Sequence, residues 1–219
     1  MIAIAGLYGI VDLPPAPEAG AAARLGTALA DGGARVLQLR MKGATAAAML
    51  RPLDELGPLR RDRGLVLIVN DRLDVALAAG ADGVHLGQDD LPLAAARALA
   101  PDGFVIGVST HDEAQARIAV DGGASYIGFG PCFPTRTKLN PDPVVGLDRL
   151  ARVCRLPLPV VAIGGIGLDT VADVVRAGAA AAAVISAVNG APDVVAAARL
   201  VSNAFARPSG AAPSPTASD

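Results

Sequence analysis

Polar and basic side chains alternate at the end of one short apolar run, where Gln38, Arg40 and Lys42 occupy every second position. In an extended strand this spacing places all three on the same side. Arginine makes planar, bidentate contacts with phosphate oxygens, and lysine adds a point charge. Together with Ser109 and Lys138, which follow two other apolar runs, these residues predict a site for a phosphorylated ligand.

Two carboxylates, Asp71 and Asp90, follow two further apolar runs. A pair of hard oxygen ligands suits Mg²⁺, which keeps several waters and is completed by substrate phosphates. Because a single phosphate seldom needs both cations and Mg²⁺, the combination predicts a diphosphate. Either aspartate could instead cap the helix that follows it, and for Asp71 capping does not exclude metal binding. No spacing of histidines and cysteines resembles a zinc site.

A repeat predicts the elements that position these residues. Gly-Ala pairs separate helix-like runs from short apolar strands at 33–34, 80–81, 123–124 and 178–179, with spacings of 47, 43 and 55 residues. This pitch fits two strand–helix units per copy. Apolar, β-branched runs supply the remaining strands at 7–11, 65–70, 104–109 and 159–164. The sequence therefore predicts an α/β fold with eight strands and eight helices, a (β/α)₈ TIM barrel rather than a doubly wound sheet.

The barrel prediction also locates the site, because such barrels carry their active sites at the carboxyl ends of the strands. The polar residues gather there, with Thr135 and Thr137 beside Lys138 after the sixth strand. Gly164-Gly165 after the seventh strand and Ile185-Ser186 after the eighth match the phosphate site common in this fold. The glycines could equally serve a tight turn. We therefore expect a second, anchoring phosphate beside the diphosphate.

The composition of the chain indicates which kinds of binding partner and which cellular compartment to expect. The chain has 219 residues, a net charge of −2 and 3% aromatic residues, which argues against nucleic acid as a partner. Apolar stretches are interrupted well before ~20 residues, so no membrane span is expected. Cys132 and Cys154 form no CxxC pair, which fits a reducing cytoplasm. We expect one domain over 1–206 and a disordered Pro/Ser/Ala-rich tail over 207–219; the oligomeric state is left open.

The remaining reactive side chains have ordinary interpretations. His85, inside an apolar strand, is expected to be a hydrogen-bonded core histidine rather than a ligand. His111 opens the fifth helix and is expected at the surface or as a capping residue. Cys132 and Cys154 are expected to be ordinary thiols.

Five stretches of the sequence resemble the thiamine phosphate synthase family, and together they cover nearly the whole predicted barrel in order. These stretches are QLRMK (38–42), LIVNDRLDVALAAGADGVHLGQDDLP (67–92), VIGVSTH (105–111), YIGFGPCFPTRTK (126–138) and PVVAIGGI (159–166). The resemblance implies that a hydroxymethylpyrimidine diphosphate and a carboxylated thiazole phosphate are joined to give thiamine phosphate, pyrophosphate and CO₂. It further implies that Mg²⁺ and cations draw off pyrophosphate and that the thiazole nitrogen attacks the pyrimidine carbocation left behind.

The resemblance also implies roles for individual residues. The pyrimidine diphosphate would be held by Gln38, Arg40, Lys42, Asn70, Ser109 and Lys138, with Leu39 and Met41 lining that site by backbone or packing. The thiazole phosphate would be contacted by Thr135, Arg136, Thr137, Gly165, Ile185 and Ser186. Mg²⁺ would be bound by Asp71 and Asp90. The residues expected to take part in catalysis are Arg40, Lys42, Ser109 and Lys138.

Two departures and two alternatives accompany this interpretation. Met41 stands where the family commonly has an acidic residue, and Arg136 where it has a hydroxyl; neither removes a proposed ligand. A thiazole tautomerase paralogue with the same barrel would need neither diphosphate nor metal. A catalytically silent barrel that binds a phosphorylated metabolite would lack the metal carboxylates. The presence of both Asp71 and Asp90 favours the synthase over either alternative.

Overall fold

Eight parallel strands close into a barrel in chain order, and β8 pairs with β1 through Gly6 and Ala181. The computed structural model describes residues 4–135 and 142–206. The strands are β1 (Gly6–Asp12), β2 (Val36–Arg40), β3 (Val66–Asn70), β4 (Gly83–Leu86), β5 (Val105–Thr110), β6 (Tyr126–Phe129), β7 (Val160–Ile163) and β8 (Ala181–Val184). The predicted (β/α)₈ TIM barrel is confirmed.

A helix follows every strand within the described ranges. The helices are α1 (Ala21–Asp31), α2 (Ala46–Arg63), α3 (Leu73–Ala78), α4 (Leu93–Leu99), α5 (Glu113–Asp121), α6 (Gly146–Val153), α7 (Val171–Arg176), α8 (Ser186–Asn189) and α9 (Val194–Ala206). The short α8 was not expected, so the described residues hold nine helices instead of eight. None of these helices is long and apolar enough to cross a membrane.

Strand alternation divides the core into two layers. Side chains such as Leu7, Leu39 and Met41 point outward and are buried between the strands and the helices. Side chains such as Tyr8 and Tyr126 point inward and form a smaller cluster inside the barrel. The inward positions are therefore the ones that can present side chains to a site at the end of the barrel.

Glycine at position 107 makes room for the inner layer. A Cβ there would lie 2.0 Å from Cζ of Tyr126 and 2.4 Å from its hydroxyl oxygen. Any larger residue would have to displace the tyrosine ring. The glycine in the β5 sequence VIGVST therefore seats the Tyr126 phenol in the middle of the barrel.

Helix α1 is capped by a residue from another helix. Its N-cap residue, Gly20, has no side chain to satisfy the first backbone N–H groups. Glu55 of α2 does so instead, because Oε1 accepts from the Gly20 N–H at 2.9 Å and Oε2 from the Ala22 N–H at 3.1 Å. These bonds, that of Gly20 first, lower the pKa of Glu55. The cap thus ties the amino end of α1 to the middle of α2.

Candidate active site

A cavity of about 500 Å³ opens at the carboxyl ends of the strands, and all eight strands contribute to its walls. This volume lies in the range of small-molecule sites. Eleven of the residues expected at the site line it: Gln38, Arg40, Lys42, Asn70, Asp71, Asp90, Ser109, Thr135, Gly165, Ile185 and Ser186. The structure thus brings together residues that are spread over about 150 positions of the sequence.

Two other expected site residues, Leu39 and Met41, are described and do not line the cavity. Leu39 and Met41 are buried in the outer layer of the core, so their side chains pack against helices and not against a ligand. If these two residues contact a ligand, they do so through their backbone atoms. Arg136, Thr137 and Lys138 lie outside the described residues, and their assignments stay predictions.

Both described cations at the rim contact a carboxylate. Arg40 donates from Nη1 to Oδ1 of Asp12 at 2.6 Å, and its side chain is only 19% exposed. Lys42 donates from Nζ to Oδ2 of Asp71 at 2.5 Å. Asp12 was missed by the sequence analysis, although it is the last residue of β1 and lies directly beside Arg40 in the β1–β2 register.

The two predicted metal ligands lie next to each other. Burial raises the pKa of the Asp90 carboxyl, and the hydrogen bond with Asp71 and the charge of Asp71 raise it further. The hydrogen bond from the Gly87 N–H acts in the opposite direction and lowers this pKa. That N–H donates to Oδ2 of Asp90 at 2.7 Å. Neither aspartate caps a helix, since the N-cap residues of α3 and α4 are Arg72 and Pro92. The capping interpretation is therefore wrong for both.

Asp71 also has an unusual backbone. Its φ of 65° lies in the left-handed region, which aspartate tolerates better than most residues. Its N–H donates to the carbonyl of His85 at 2.7 Å, across from β3 to β4. The strained turn after β3 thus aims the Asp71 carboxylate at Lys42 and Asp90. Such backbone outliers concentrate at functional sites.

A chain of hydrogen bonds crosses the floor of the cavity. Nε2 of Gln38 lies 3.2 Å from the Tyr8 hydroxyl, which lies 2.7 Å from the Tyr126 hydroxyl. Tyr126 lies 3.0 Å from Nδ1 of His85, and Nε2 of His85 lies 2.9 Å from Oγ of Ser109. We call these five residues the floor chain. His85 is hydrogen-bonded as expected, and burial lowers its pKa to about 4, so the ring is neutral near pH 7.

The opposite wall of the cavity is built from backbone. Gly165 has a φ of 67°, and a Cβ on it would lie 2.4 Å from the carbonyl oxygen of Pro134. The Phe133 N–H donates to the Gly164 carbonyl at 3.0 Å. The glycine pair therefore does more than turn the chain, because it lets the segment after β6 lie directly on the end of β7.

His111 occupies a different place from the one expected. Nδ1 lies 2.6 Å from the Gly130 carbonyl, and Nε2 lies 3.4 Å from Oδ2 of Asp142. The cap of α5 is Asp112, whose Oδ1 accepts from the Gln115 N–H. His111 thus lines the cavity and contacts residues on both sides of segment 136–141. The expected capping role is therefore wrong, whereas its side chain, 25% exposed, does lie at the surface of the cavity.

The comparisons with known proteins decide the family. A family model described as thiamine monophosphate synthase matches residues 7–188. The thiamine-phosphate synthase of Anaeromyxobacter dehalogenans is 52% identical over 203 residues, which cover 92% of this chain and 88% of that protein. The chain belongs to the thiamine monophosphate synthase family.

Two more relatives agree with this assignment. The thiamine-phosphate synthase of Methanospirillum hungatei is 47% identical over 195 residues, covering 89% of this chain and 94% of that protein. The solved structure of thiamine phosphate pyrophosphorylase from Pyrococcus furiosus matches with a TM-score of 0.79 and 38% identity, covering 92% of this chain and 95% of that one. The activity of the chain is that of the family, a transferase reaction of thiamine biosynthesis on small-molecule substrates, as the five motifs predicted.

Proposed function

We propose that this chain joins a hydroxymethylpyrimidine diphosphate to a carboxylated thiazole phosphate with release of pyrophosphate and CO₂, and that the residues at the carboxyl end of the barrel drive the departure of pyrophosphate. One observation carries the proposal. Cations and a pair of contacting carboxylates, Asp71 and Asp90, share the wall of one cavity. An anionic leaving group and a metal ion can therefore meet there.

The carboxylate pair fits Mg²⁺. Burial first, and then the neighbouring Asp71 carboxylate, raise the pKa of Asp90 and disfavour its charge. A cation bound between the two carboxylates would offset both effects. The described residues hold no group of three or more histidine, cysteine or acidic side chains suited to a metal. Mg²⁺ is usually coordinated by one or two protein carboxylates, and water and phosphate oxygens complete its ligands. Bound there, Mg²⁺ would supply positive charge to the leaving diphosphate.

Arg40 is suited to receive the same charge. A guanidinium has five N–H donors, and the contact with Asp12 uses one of them. The ion pair holds the side chain in place, while the other donors remain for phosphate oxygens in the cavity. Donors held in position before the reaction stabilise charge as it develops on the leaving oxygens, without reorganisation. We assign this role to Arg40 together with Lys42 and Lys138.

The thiazole phosphate is assigned to the opposite wall. Gly165, Ile185 and Ser186 follow β7 and β8, the two strands after which this fold commonly binds phosphate. Thr135 lines the same cavity from the segment after β6. With one phosphorylated substrate on each wall, the thiazole nitrogen and the pyrimidine carbon can approach each other across the cavity. No general base is needed for that step.

Two further proposals concern the setting of the enzyme. Residues 1–206 form one functional domain, because the barrel closes and α9 ends at Ala206. The enzyme acts in a reducing cytoplasm, which is supported by the two free thiols, Cys132 and Cys154. Burial raises the pKa of both thiols, to about 12 and about 11, so neither is a nucleophile near neutral pH.

Mixing the purified chain with both substrates tests the proposal. Thiamine phosphate and pyrophosphate are expected to form in equal amounts with Mg²⁺, and product formation should stop when the metal is chelated. Product formation that persists after chelation would contradict the metal assignment. If the chain only isomerises the carboxylated thiazole phosphate, without using the diphosphate, it is a tautomerase and the proposal is wrong.

A further inference from the structure

Burial restricts where the hydrogens of the floor chain can point. Tyr8 is 2% exposed and Tyr126 is 0% exposed, so their hydroxyl hydrogens cannot reach bulk water. A buried hydroxyl hydrogen without an acceptor is costly and therefore rare. Each tyrosine hydroxyl has two neighbours, and each must find its acceptor among them.

The direction of the chain follows step by step. The Gln38 amide nitrogen facing Tyr8 donates and cannot accept, so the Tyr8 hydrogen goes to the Tyr126 oxygen at 2.7 Å. The Tyr126 hydrogen then has Nδ1 of His85 as its acceptor, at 3.0 Å. Nδ1 must therefore be bare, and the single proton of the neutral imidazole resides on Nε2.

Ser109 is the last member of the chain. The Nε2–H group of His85 donates to Oγ of Ser109 at 2.9 Å, which leaves the serine O–H for an acceptor in the cavity. Phosphate oxygens only accept hydrogen bonds. If the hydrogen bonds ran in the reverse direction, the Ser109 hydroxyl would donate to Nε2 of His85. Only its oxygen lone pairs would then face a phosphate group in the cavity, and two acceptors cannot hydrogen-bond to each other. A diphosphate at the Ser109 end, as in the proposed function, would thus require the same direction that Gln38 sets at the other end.

We infer that the floor chain is a one-way relay that holds His85 as the Nε2–H tautomer and thereby makes Ser109 a donor to the leaving diphosphate. His85 and Tyr126 are positioning residues, since they act through Ser109. The inference about the anion rests on the proposed function, whereas the inference about the tautomer does not. The neutral state that it requires agrees with the burial of the ring.

The tautomer can be measured directly in the full-length enzyme. The chain has two histidines, so ¹⁵N-histidine labelling gives two imidazole spin systems, and a His111→Gln variant assigns them. Two-bond ¹H–¹⁵N correlations at neutral pH should show His85 protonated on Nε2 and bare on Nδ1. A proton on Nδ1, or an imidazolium, would overturn the relay. This measurement needs no substrate, so it stands even if the proposed reaction is wrong.

Two matched variants test the direction. Tyr126→Phe removes the donor to Nδ1, so His85 should no longer be held as the Nε2–H tautomer. We expect kcat to fall about tenfold, with a smaller change in KM. This loss is smaller than the 10²–10³ that is typical when a transition-state donor itself is removed. Tyr8→Phe removes a hydroxyl from the same buried cluster but leaves Tyr126 free to donate to His85. It should keep the Nε2–H tautomer and lower kcat less than Tyr126→Phe does. Equal changes in both variants would indicate general damage to the core and overturn the inference.

The link from His85 to Ser109 is tested by coupling. Ser109→Ala should lower kcat by about 10²–10³ if its hydroxyl serves the diphosphate. Adding Tyr126→Phe to Ser109→Ala should then lower kcat no further, because residues that act as one unit are not additive. Additive losses would overturn the relay while leaving the proposed reaction intact. An unchanged kcat in Ser109→Ala would instead contradict the assigned role of Ser109, and the tautomer would still report on the relay.

Discussion

Arg60 at the amino end of the barrel and Arg40 at the carboxyl end each pair with an aspartate, but the two pairs differ in how many hydrogen bonds join them. Arg60 makes three contacts of 2.7–2.9 Å with Asp82, and Asp82 also accepts the Leu67 N–H at 2.8 Å. Arg40 makes a single contact with Asp12, although it is the more buried arginine, 19% exposed against 40%. The amino end satisfies its charges within the protein, and the carboxyl end leaves donors for a ligand.

Arg97, also at the amino end, has a hydrogen-bond partner for each of its three guanidinium nitrogens. Its guanidinium donates to the carbonyls of Gly123 and Phe104 and to Oγ of Ser125, at 2.7–2.9 Å. It has no carboxylate partner among these contacts and instead joins the segments before β5 and β6. In a (β/α)₈ barrel the amino end stabilises the fold and the carboxyl end carries the reaction. The difference between the two ends can be tested by substitutions that should separate stability from activity.

The largest effect is expected from the carboxylate pair at the carboxyl end. Asp90→Asn should lower kcat by roughly 10³ or more, because one of two protein ligands for Mg²⁺ is lost. Tm should rise, since the raised pKa shows that the Asp90 charge is unfavourable in the folded protein. Steady-state kinetics and thermal unfolding measure the two effects. Asp102→Asn, which changes an exposed aspartate in the turn before β5, is the matched control and should alter neither.

The next effect concerns a cation whose role rests on the sequence. Lys138→Ala should lower kcat by about 10²–10³ with a smaller change in KM for the pyrimidine diphosphate, because charge builds on the leaving oxygens in the transition state. The KM for the thiazole phosphate should change least. Kinetics with each substrate varied in turn measure this. If affinity for the thiazole phosphate alone is lost while kcat is intact, Lys138 belongs to the other wall.

At the amino end the same kind of substitution should act on stability instead. Asp82→Asn removes the charge partner of Arg60, and we expect a loss of about 2 kcal/mol, or roughly 4–8 °C in Tm. Below the transition kcat and KM should be unchanged. Asp31→Asn breaks the exposed pair with Arg63 and should cost less than about 1 kcal/mol. A fall in kcat for Asp82→Asn without a fall in Tm would contradict the division between the two ends.

Strand alternation explains how far the sequence could predict the site. The two-residue spacing of Gln38, Arg40 and Lys42 was sufficient to place all three on the cavity side and Leu39 and Met41 on the other. The barrel itself followed from the repeated Gly-Ala pairs, which mark local structure. These are properties of single segments, and they do not depend on which strand lies beside which.

The features that the sequence analysis missed depend on pairs of distant residues. Tyr8 and Tyr126 share a hydrogen bond across 118 positions, and each alone reads as an ordinary core residue in an apolar strand. The Asp12–Arg40 contact requires the β1–β2 register. His111 follows a strand and precedes a helix, so local rules favour capping, but Asp112 takes that position. Contacts across the barrel become visible only once it has closed.

A smaller effect is expected from the cap of α1, away from the cavity. Glu55→Gln should lower the free energy of unfolding by about 1 kcal/mol near neutral pH, because the charged acceptor for the Gly20 and Ala22 N–H groups is lost. Since the pKa of Glu55 is lowered by folding, its contribution is present above the unfolded value near 4.5 and is lost as the pH falls through the folded value. Urea unfolding of both proteins should therefore differ at pH 7 and converge as the pH falls below 4.5 and through the folded value. A constant difference across that range would contradict the charged cap.

The smallest effect is expected from the end of the chain. Phe205 and Ala206, the last residues of α9, lie beside Gly6 and Arg35 at the amino end of the barrel, opposite the cavity. Residues 207–219 contain no apolar side chain larger than proline, so they offer little surface to bury against the core. Truncation after Ala206 should leave Tm, kcat and both KM values unchanged. A lower Tm with intact kinetics would show that the tail stabilises the amino end, and a lower kcat would show that it reaches the reaction site; either result would mean that the domain does not end at 206.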